Sequence, residues 1–475
     1  MLFRSTERLY AFYPAADAVG ERLAPSELFA RAAALSAPWE EEPLWEAQTP
    51  ASIETALAGC GSPGPGEGPQ AAALRSAARR VLGEERCRRL EAAAEKQSHK
   101  IGDGALARRL FGMRMRLSPT RLEQFYRCPF SYYMNKGLGA KARQRAELSP
   151  AQAGTLIHRV LEQSVAHFGG EGLSTVPEPE LRGEIARQTD GYLIERLGDL
   201  SQAPRRLVGG FRRIGDWLYE LLRRIGEELS QSRFEPAAFE LSIREGGEVE
   251  PLVLRTAGGG EILVEGTVDR VDVAEINGRR YLRVLDYKSG RKKFLLDDVY
   301  YGLNLQMLVY LFTICKNGRE ELSGLLPAGA LYLPALGGYV PAARDADPEK
   351  IAGARLEQYR MNGLLLDDPS VLRAMEADLG GLYIPYTDGK KAEALYSLSE
   401  MGRLSRLVED RLRGMAEELH RGEIAARPSC RGTESPCGYC DYRGICGFEE
   451  GDPVRELAAL DRDAVLKELQ EEAEQ

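Results

Sequence analysis

The 475-residue sequence has no surplus of positive charge: 63 lysines and arginines stand against 72 acids, a formal net charge of −9. General polyelectrolyte attraction to nucleic acid is thereby excluded, and any phosphate-binding face has to be local. No apolar run approaches the roughly 20 residues that a membrane-spanning helix needs. The N-terminus also lacks the charged start and apolar core of a secretory signal. These absences lead to the expectation of a soluble, cytoplasmic protein with no membrane partner, whose eight cysteines are not paired as disulfides. A phosphate cradle for ATP is missing too. Gly389-Lys390 is followed by Lys391, and no glycine stands five residues before Gly389, so the G-x-x-x-x-G-K-[ST] pattern is not met and the chain is not a motor. Histidine is scarce, at four, and His99, His167 and His420 stand without other candidate ligands nearby.

What the sequence does contain is concentrated between Glu261 and Tyr310. Apolar and polar residues alternate from Glu261, break at Asn277-Gly278 and alternate again to Lys288, the pattern of two antiparallel strands joined by a tight turn. A strand repeats its side chains every two residues, so Asp286 and Lys288 share a face, and the hairpin can bring Asp269 against Asp286. Two carboxylates that close repel each other unless a cation lies between them, and magnesium is the first candidate. An isolated D-x-K on a strand is more often a surface ion pair. Three further features favour a site: the apolar run Leu282–Leu285 before Asp286, the immediate stop at Ser289-Gly290, and Gln306 with Tyr310 at i and i+4 on the next helix.

These residues resemble the PD-(D/E)XK nuclease core in its RecB-type branch: Gly266-Thr267-Val268-Asp269, then Leu285-Asp286-Tyr287-Lys288-Ser289-Gly290, then the Q-x-x-x-Y of Gln306 and Tyr310. That branch carries a G-x-x-x-H helix upstream, and Gly154 to His158 match it. The fold this implies is α/β, a mixed central sheet flanked by helices. The chemistry it implies is hydrolysis of DNA phosphodiester bonds with Mg2+ or Mn2+ held by Asp269, Asp286, the carbonyl of Tyr287 and His158. Lys288 would position or deprotonate the attacking water, while Gln306 and Tyr310 orient the lysine or the phosphate backbone.

Near the C-terminus, Cys437, Cys440 and Cys446 form C-x2-C-x5-C, a strong sign of metal or cluster ligation because short loops aim several thiolates at one centre. Three thiolates need a fourth partner, either Cys430 or Cys128, and local spacing alone favours Cys430 with zinc. A resemblance changes that choice. Leu117 to Phe130 is similar to the segment of the AddB family, subunits of AddAB helicase-nucleases, that supplies the first ligand of a [4Fe-4S] cluster. It implies Cys128, Cys437, Cys440 and Cys446 as ligands, with Cys430 in reserve and a structural role for the cluster. Cys60, Cys87 and Cys315 are read as ordinary thiols.

The AddB resemblance runs from about Leu9 to Phe448 and is specific from Leu117 onward. The long helicase-like portion that precedes the nuclease domain in that family has no counterpart here. The expected organisation is a helicase-like remnant over 1–110, a nuclease domain over 111–450 with a helical insertion at 177–232, and a helical tail over 451–475. By resemblance the partners are DNA and an AddA-type motor subunit, and the process is double-strand-break repair by recombination. Two alternatives remain open: a non-catalytic iron-sulfur scaffold on DNA, and a stand-alone Cas4-like exonuclease. Substitutions at Asp269, Asp286 or Lys288 would favour the scaffold, and none is present.

Other elements follow from local pattern. A strand over Arg8–Pro14, a helix from Ser26 and a linker at Gly61–Gly66 are expected, then a helix over 71–97. Ser118 caps a helix with Pro119 at its first position, and a Ser149-Pro150 start launches the His158 helix, which ends at Gly169-Gly170. Helix is expected throughout 177–232, strands in AAFELSIRE, PLVLRT and ALYLPAL, irregular chain over 340–395, and a long helix from Leu398 to His420. Between Ile101 and Ala146, ten basic residues (Arg108, Arg109, Arg114, Arg116, Arg121, Arg127, Lys136, Lys141, Arg143, Arg145) meet only Asp103 and Glu123, a local excess of ten minus two, or +8. That stretch is a candidate phosphate-binding face or a solvated helical one.

Overall fold

In a computed structural model the described residues are Arg31, 53–54, 56–57, 69–94, 99–141, 150–198, 205–288, 290, 292–335, 340, 347–390, 393–449 and 451–474. The strand at Arg8–Pro14, the helix at Ser26, the linker at Gly61–Gly66, and Cys60, Ser149, Ser289, Arg143 and Arg145 lie outside them. The chain divides into two compact units, Met1–Lys100 with Cys437–Asp452, and Ile101–Pro436 with Pro453–Gln475.

In the first unit α1 (Pro69–Leu82) and α2 (Glu84–Ala94) replace the single helix expected over 71–97. Gly83 divides them with φ +83. Ile53, Leu57, Ala78 and Cys87 form a small core, which gives Cys87 the expected inert setting.

The second unit begins with α3 (Gly104–Phe111), β1 (Arg114–Leu117), α4 (Pro119–Arg127) and the short α5 (Pro129–Tyr132). Ser118 sits at the N-cap of α4 without the expected side-chain bond. Next comes α6 (Pro150–Thr175), which breaks at Gly169 (φ 66, ψ 174) but resumes to Thr175, past the expected end. The insertion is two helices, α7 (Glu178–Leu197) and α8 (Arg205–Gln231), both packed on α6. Strands β2 (Glu235–Ile243), β3 (Leu252–Arg255), β4 (Glu261–Val264), β5 (Gly266–Ile276) and β6 (Arg279–Lys288) follow. Beyond them lie α9 (Leu296–Tyr300), α10 (Gln306–Asn317), β7 (Leu326–Pro334), α11 (Pro348–Glu357), β8 (Asn362–Leu366), α12 (Pro369–Met375), β9 (Leu395–Tyr396), α13 (Leu398–His420), β10 (Ser429–Cys430), β11 (Arg455–Glu456) and α14 (Arg462–Glu474).

The main sheet has six strands in the order β2-β5-β6-β7-β8-β9. Antiparallel pairs β2/β5, β5/β6 and β7/β8 alternate with parallel β6/β7 and β8/β9, so the sheet is mixed as expected. Every residue from Tyr281 to Tyr287 of β6 is buried, which requires cover on both faces of the strand. Helix α10 packs on β6 and β7 and against α13, supplying part of that cover.

Two expectations about strands need correction. Glu261–Val264 does not continue into the hairpin. It pairs with β1 and β3 in a separate three-stranded sheet, and the hairpin that carries the acids begins only at Gly266. Residues 340–395 are not irregular throughout, because they hold α11, β8 and α12, and β8 pairs with β7 inside the main sheet.

On the face of β5 and β6 that Arg270, Asp272 and Arg283 share, these residues form a buried ionic network. Arg270 Nε and Arg283 Nε donate to Asp272 at 2.7 and 2.8 Å, and Arg283 reaches Glu228 of α8 at 2.7 Å. Desolvating such charges is expensive unless each is met by a partner, and the network ties the helical insertion to the sheet.

Candidate metal-dependent active site

The hairpin turn sets the geometry. Asn277 and Gly278 both have positive φ, 54° and 75°, the two-residue form whose twist matches the flanking strands. That fixes Arg270 opposite Leu285, and the next pair along sets Asp269 opposite Asp286. Asp269 Oδ2 accepts a 2.8 Å bond from the amide of Tyr287, and Asp286 contacts the ammonium of Lys288 directly. Gln306, the first residue of α10, donates to Asp286 Oδ1 at 2.9 Å and accepts from Lys288 Nζ at 3.3 Å. One amide thus holds both the acid and the amine.

One turn further along α10, Tyr310 interacts with the backbone of Thr267 and the side chain of Gln306. A Cβ on Gly266 would lie 2.7 Å from its hydroxyl oxygen, so the strand start requires glycine if Tyr310 is to stay in place. From α6, His158 brings Nε2 to 3.4 Å from the Tyr287 carbonyl oxygen and Nδ1 to 3.4 Å from Asp269 Oδ1. Asp269, Asp286, Tyr287, Lys288, Gln306, Tyr310 and His158 therefore meet at one end of the hairpin.

Two residues not foreseen from the sequence join them. Glu240 of β2 places Oε1 3.3 Å from His158 Nδ1. Among the described residues, His158, Glu240 and Asp269 are the group whose ligand atoms all lie within 4.8 Å of one another. Asp286 stands outside that group, turned towards Lys288 and Gln306. Glu123 of α4 is the second: its Oε1 accepts from the backbone N–H of Gln306 at 3.3 Å and lies 3.9 Å from Lys292 Nζ. Its only sequence signal is that it is the single acid inside α4.

Charge at the site is poorly solvated. Burial, then the charge of Asp286, pushes the Asp269 carboxyl up to about 7, against the pull of His158, the Tyr287 amide and Lys288. Burial also raises Asp286, against Lys288, Lys292 and His158. For His158 burial works against protonation, but the bond to Glu240 and the charges of Asp269, Glu240 and Asp286 together hold it above the ordinary imidazole value. Burial draws Lys292 below the usual ammonium value, with Glu123 opposing. Converging carboxylates, too close to share a dry site as anions, with one imidazole beside them, fit a divalent cation.

The candidate ligand cysteines fall in both units. Cys128 ends α4 and Cys430 lies in β10. Pro436–Tyr439 forms a 3-10 turn, and within the first unit the Cys440 amide donates to the Cys437 carbonyl at 3.3 Å. Burial raises the Cys440 thiol pKa against the Tyr442 amide, with smaller contributions from Cys437 and Cys446. Burial likewise pushes Cys315 up to about 12, which keeps it inert. No disulfide forms among the described residues.

Part of the basic stretch is ion-paired. Arg114 and Arg116 pair with Glu245 and Arg116 with Glu265, while Arg127 pairs with Glu123 at 3.3 Å. No helix among the described residues is long and apolar enough to cross a membrane.

Comparison with known proteins agrees with the geometry. Three curated relatives are each named as the B subunit of an ATP-dependent helicase/deoxyribonuclease. The chain is 29% identical over 378 residues to that of Clostridium acetobutylicum, covering 77% of this chain and 33% of that protein. It is 31% identical over 350 residues to that of Acetivibrio thermocellus, covering 72% and 30%. With that of Symbiobacterium thermophilum it shares 32% over 376 residues, covering 75% and 32%. The chain thus spans about a third of the length of these curated relatives. The family model described as PD-(D/E)XK nuclease superfamily matches residues 116–447, the stretch that holds the hairpin, His158 and the clamp of Gln306. The chain therefore belongs to the PD-(D/E)XK nuclease superfamily.

Proposed function

We propose that the chain is the nuclease part of an AddB-type helicase-nuclease component, an Mg2+- or Mn2+-dependent deoxyribonuclease that hydrolyses DNA phosphodiester bonds. The observation that carries this reading is the Gln306 clamp on Asp286 and Lys288, set beside Asp269 and His158. An ammonium held at a cluster of cation-seeking carboxylates is the constellation that phosphate hydrolysis needs.

A divalent ion bound there would lower the pKa of a water and offset charge on the phosphate. Asp269, Asp286, His158 and the Tyr287 carbonyl are the groups that would hold it. Asp269 is fixed by the Tyr287 amide, so its second oxygen stays on the His158 side. Lys288, about a quarter exposed, faces solvent enough to meet an incoming phosphate, where its ammonium orients the attacking water and stabilises developing charge. Gln306 keeps Lys288 from swinging away, and Tyr310 holds Gln306 against the start of β5.

The names of the relatives support DNA as the substrate and work within a helicase-nuclease. The resemblance to AddB supports an AddA-type motor partner, a role in recombinational repair of double-strand breaks, and Cys128 as the fourth ligand of a [4Fe-4S] cluster. The C-x2-C-x5-C spacing supports a metal centre at Cys437, Cys440 and Cys446. End-labelled single- and double-stranded DNA incubated with Mg2+ or Mn2+, then with EDTA, tests the activity. Lys288→Ala should cut at least about 100-fold more slowly with DNA binding and melting temperature unchanged. Cleavage at the wild-type rate by that variant refutes the assignment.

A further inference from the structure

Strand β6 ends at Lys288, and a few residues later the chain is tied down again. Asn304 Nδ2 donates to the Lys293 carbonyl at 2.9 Å, and Asn362 accepts from the Phe294 amide. Asn304, in the left-handed region at φ +56, also accepts a 2.8 Å bond from the Tyr332 hydroxyl. Tyr332 lies opposite Asp286 in the β6/β7 pair. These bonds set a second ammonium beside the first. Lys292 Nζ stands 4.8 Å from the centre of the Tyr332 ring, and Lys288 Nζ stands 5.8 Å from the same ring.

Each ammonium gains from the negative face of the ring, but two like charges gathered over it repel each other. Lys288 is met by Asp286 and Gln306. Lys292 is met less well. Its ion pair with Glu123 Oε1 is 3.9 Å long, beyond hydrogen-bond distance. Glu123 is also engaged twice elsewhere, by the Gln306 amide and by Arg127, each at 3.3 Å. The Lys292 side chain is 29% exposed and that of Lys288 27%, so an anion from solvent can reach both. A phosphodiester, with two non-bridging oxygens sharing one charge, suits a pair of ammoniums so placed.

We propose that Lys292 binds the DNA backbone, holding a non-bridging phosphate oxygen beside the ammonium of Lys288. The proposal rests on the reading of DNA as substrate and does not depend on the divalent ion. It differs from a structural role in which Lys292 only offsets the charge of Glu123. Losing such a role leaves the number of neutralised phosphates, and hence the salt dependence of binding, unchanged.

The test is binding of end-labelled single- and double-stranded DNA in EDTA over a series of NaCl concentrations, for wild type, Lys292→Gln, Lys292→Met and Lys292→Arg. The slope of log affinity against log salt is about 0.7 per phosphate contact for single strands and about 0.9 for duplex. Lys292→Gln should bind about tenfold more weakly, with a slope shallower by one contact, and Lys292→Arg should keep both affinity and slope. Lys292→Met, which keeps an apolar stem over Tyr332, should show the same two losses, so the result does not hang on the folding of one variant. An unchanged slope in the Gln and Met variants overturns the proposal even where affinity falls, and leaves the nuclease reading intact if wild type binds and cuts DNA. A wild-type protein that binds no DNA overturns both.

Discussion

At Asp269 two demands conflict: the residue is nine-tenths buried, and its use as a ligand needs it ionised. Burial and Asp286 hold its carboxyl to about 7, while in an unfolded chain an aspartate has lost its proton by about pH 4. The folded protein therefore binds the extra proton between those values, and this contribution to stability, full below about pH 4, is lost as pH rises through about 7. A divalent ion reverses the sense, because it displaces the proton and binds more tightly as pH climbs. Melting of metal-free protein between about pH 5 and pH 8 should show wild type losing stability relative to Asp269→Asn, with Mn2+ restoring wild type most strongly at the alkaline end. Parallel curves for the two proteins would remove this account of Asp269.

Asp269, Asp286, Lys288 and Gln306 were legible because their positions follow from periods of two and four residues. Glu240 was not. Its strand reads as ordinary alternation, and no sequence period reports a backbone that turns left-handed at one residue. The available signal was an acid between Phe239 and Leu241 in an otherwise apolar stretch.

Among the elements, the join between α4 and α10 bears on the site most directly. Glu123, on the helix that leads to Cys128, accepts from the amide that opens α10, an arrangement favoured by the positive end of the helix dipole. Gln306 is held at its backbone by Glu123 while its side chain holds Asp286 and Lys288. Glu123→Ala should reduce unfolding free energy by about 1–3 kcal/mol and lower kcat about tenfold, a barrier change of about 1.4 kcal/mol. Glu123→Gln keeps an acceptor and should recover most of kcat. A loss confined to KM would instead place Glu123 in DNA binding.

The long helix α13, from Leu398 to His420, was readable to the residue, since its apolar stripe and the Ser397–Glu400 capping box are both local. Strands were less so. The run from Glu261 to Ile276 looks continuous, and only partners far away in sequence, β1 and β3, decide that Val264 and Gly266 belong to different sheets. Strand β8 is five residues long and takes its identity from pairing with β7.

For the molecule as a whole, the local excess of charge over 101–146 is partly offset from elsewhere in the chain. Glu245, Glu261 and Glu265, more than a hundred residues downstream, come back to neutralise Arg114 and Arg116. The buried network of Arg270, Asp272, Arg283 and Glu228 was equally hidden, because alternation marks those positions as inward without saying that charges would fill them. Metal content is a property of the entire chain. Protein purified without oxygen should be brown and carry iron and sulfide, and Cys437→Ser should lose both. A colourless protein with stoichiometric zinc would replace the cluster by a zinc site.

The two-residue turn at Asn277-Gly278 also divides what is local in the site from what is not. Asp269 and Tyr287 are 18 residues apart in the chain, and His158 is 129 residues from Tyr287. Short loops cost less chain entropy to close than long ones, so one local turn suffices to set the two acids against each other, whereas the imidazole depends on contacts made from far along the chain. The carboxylate pair is thus a product of neighbouring sequence, and the histidine beside it is a product of the whole domain's packing.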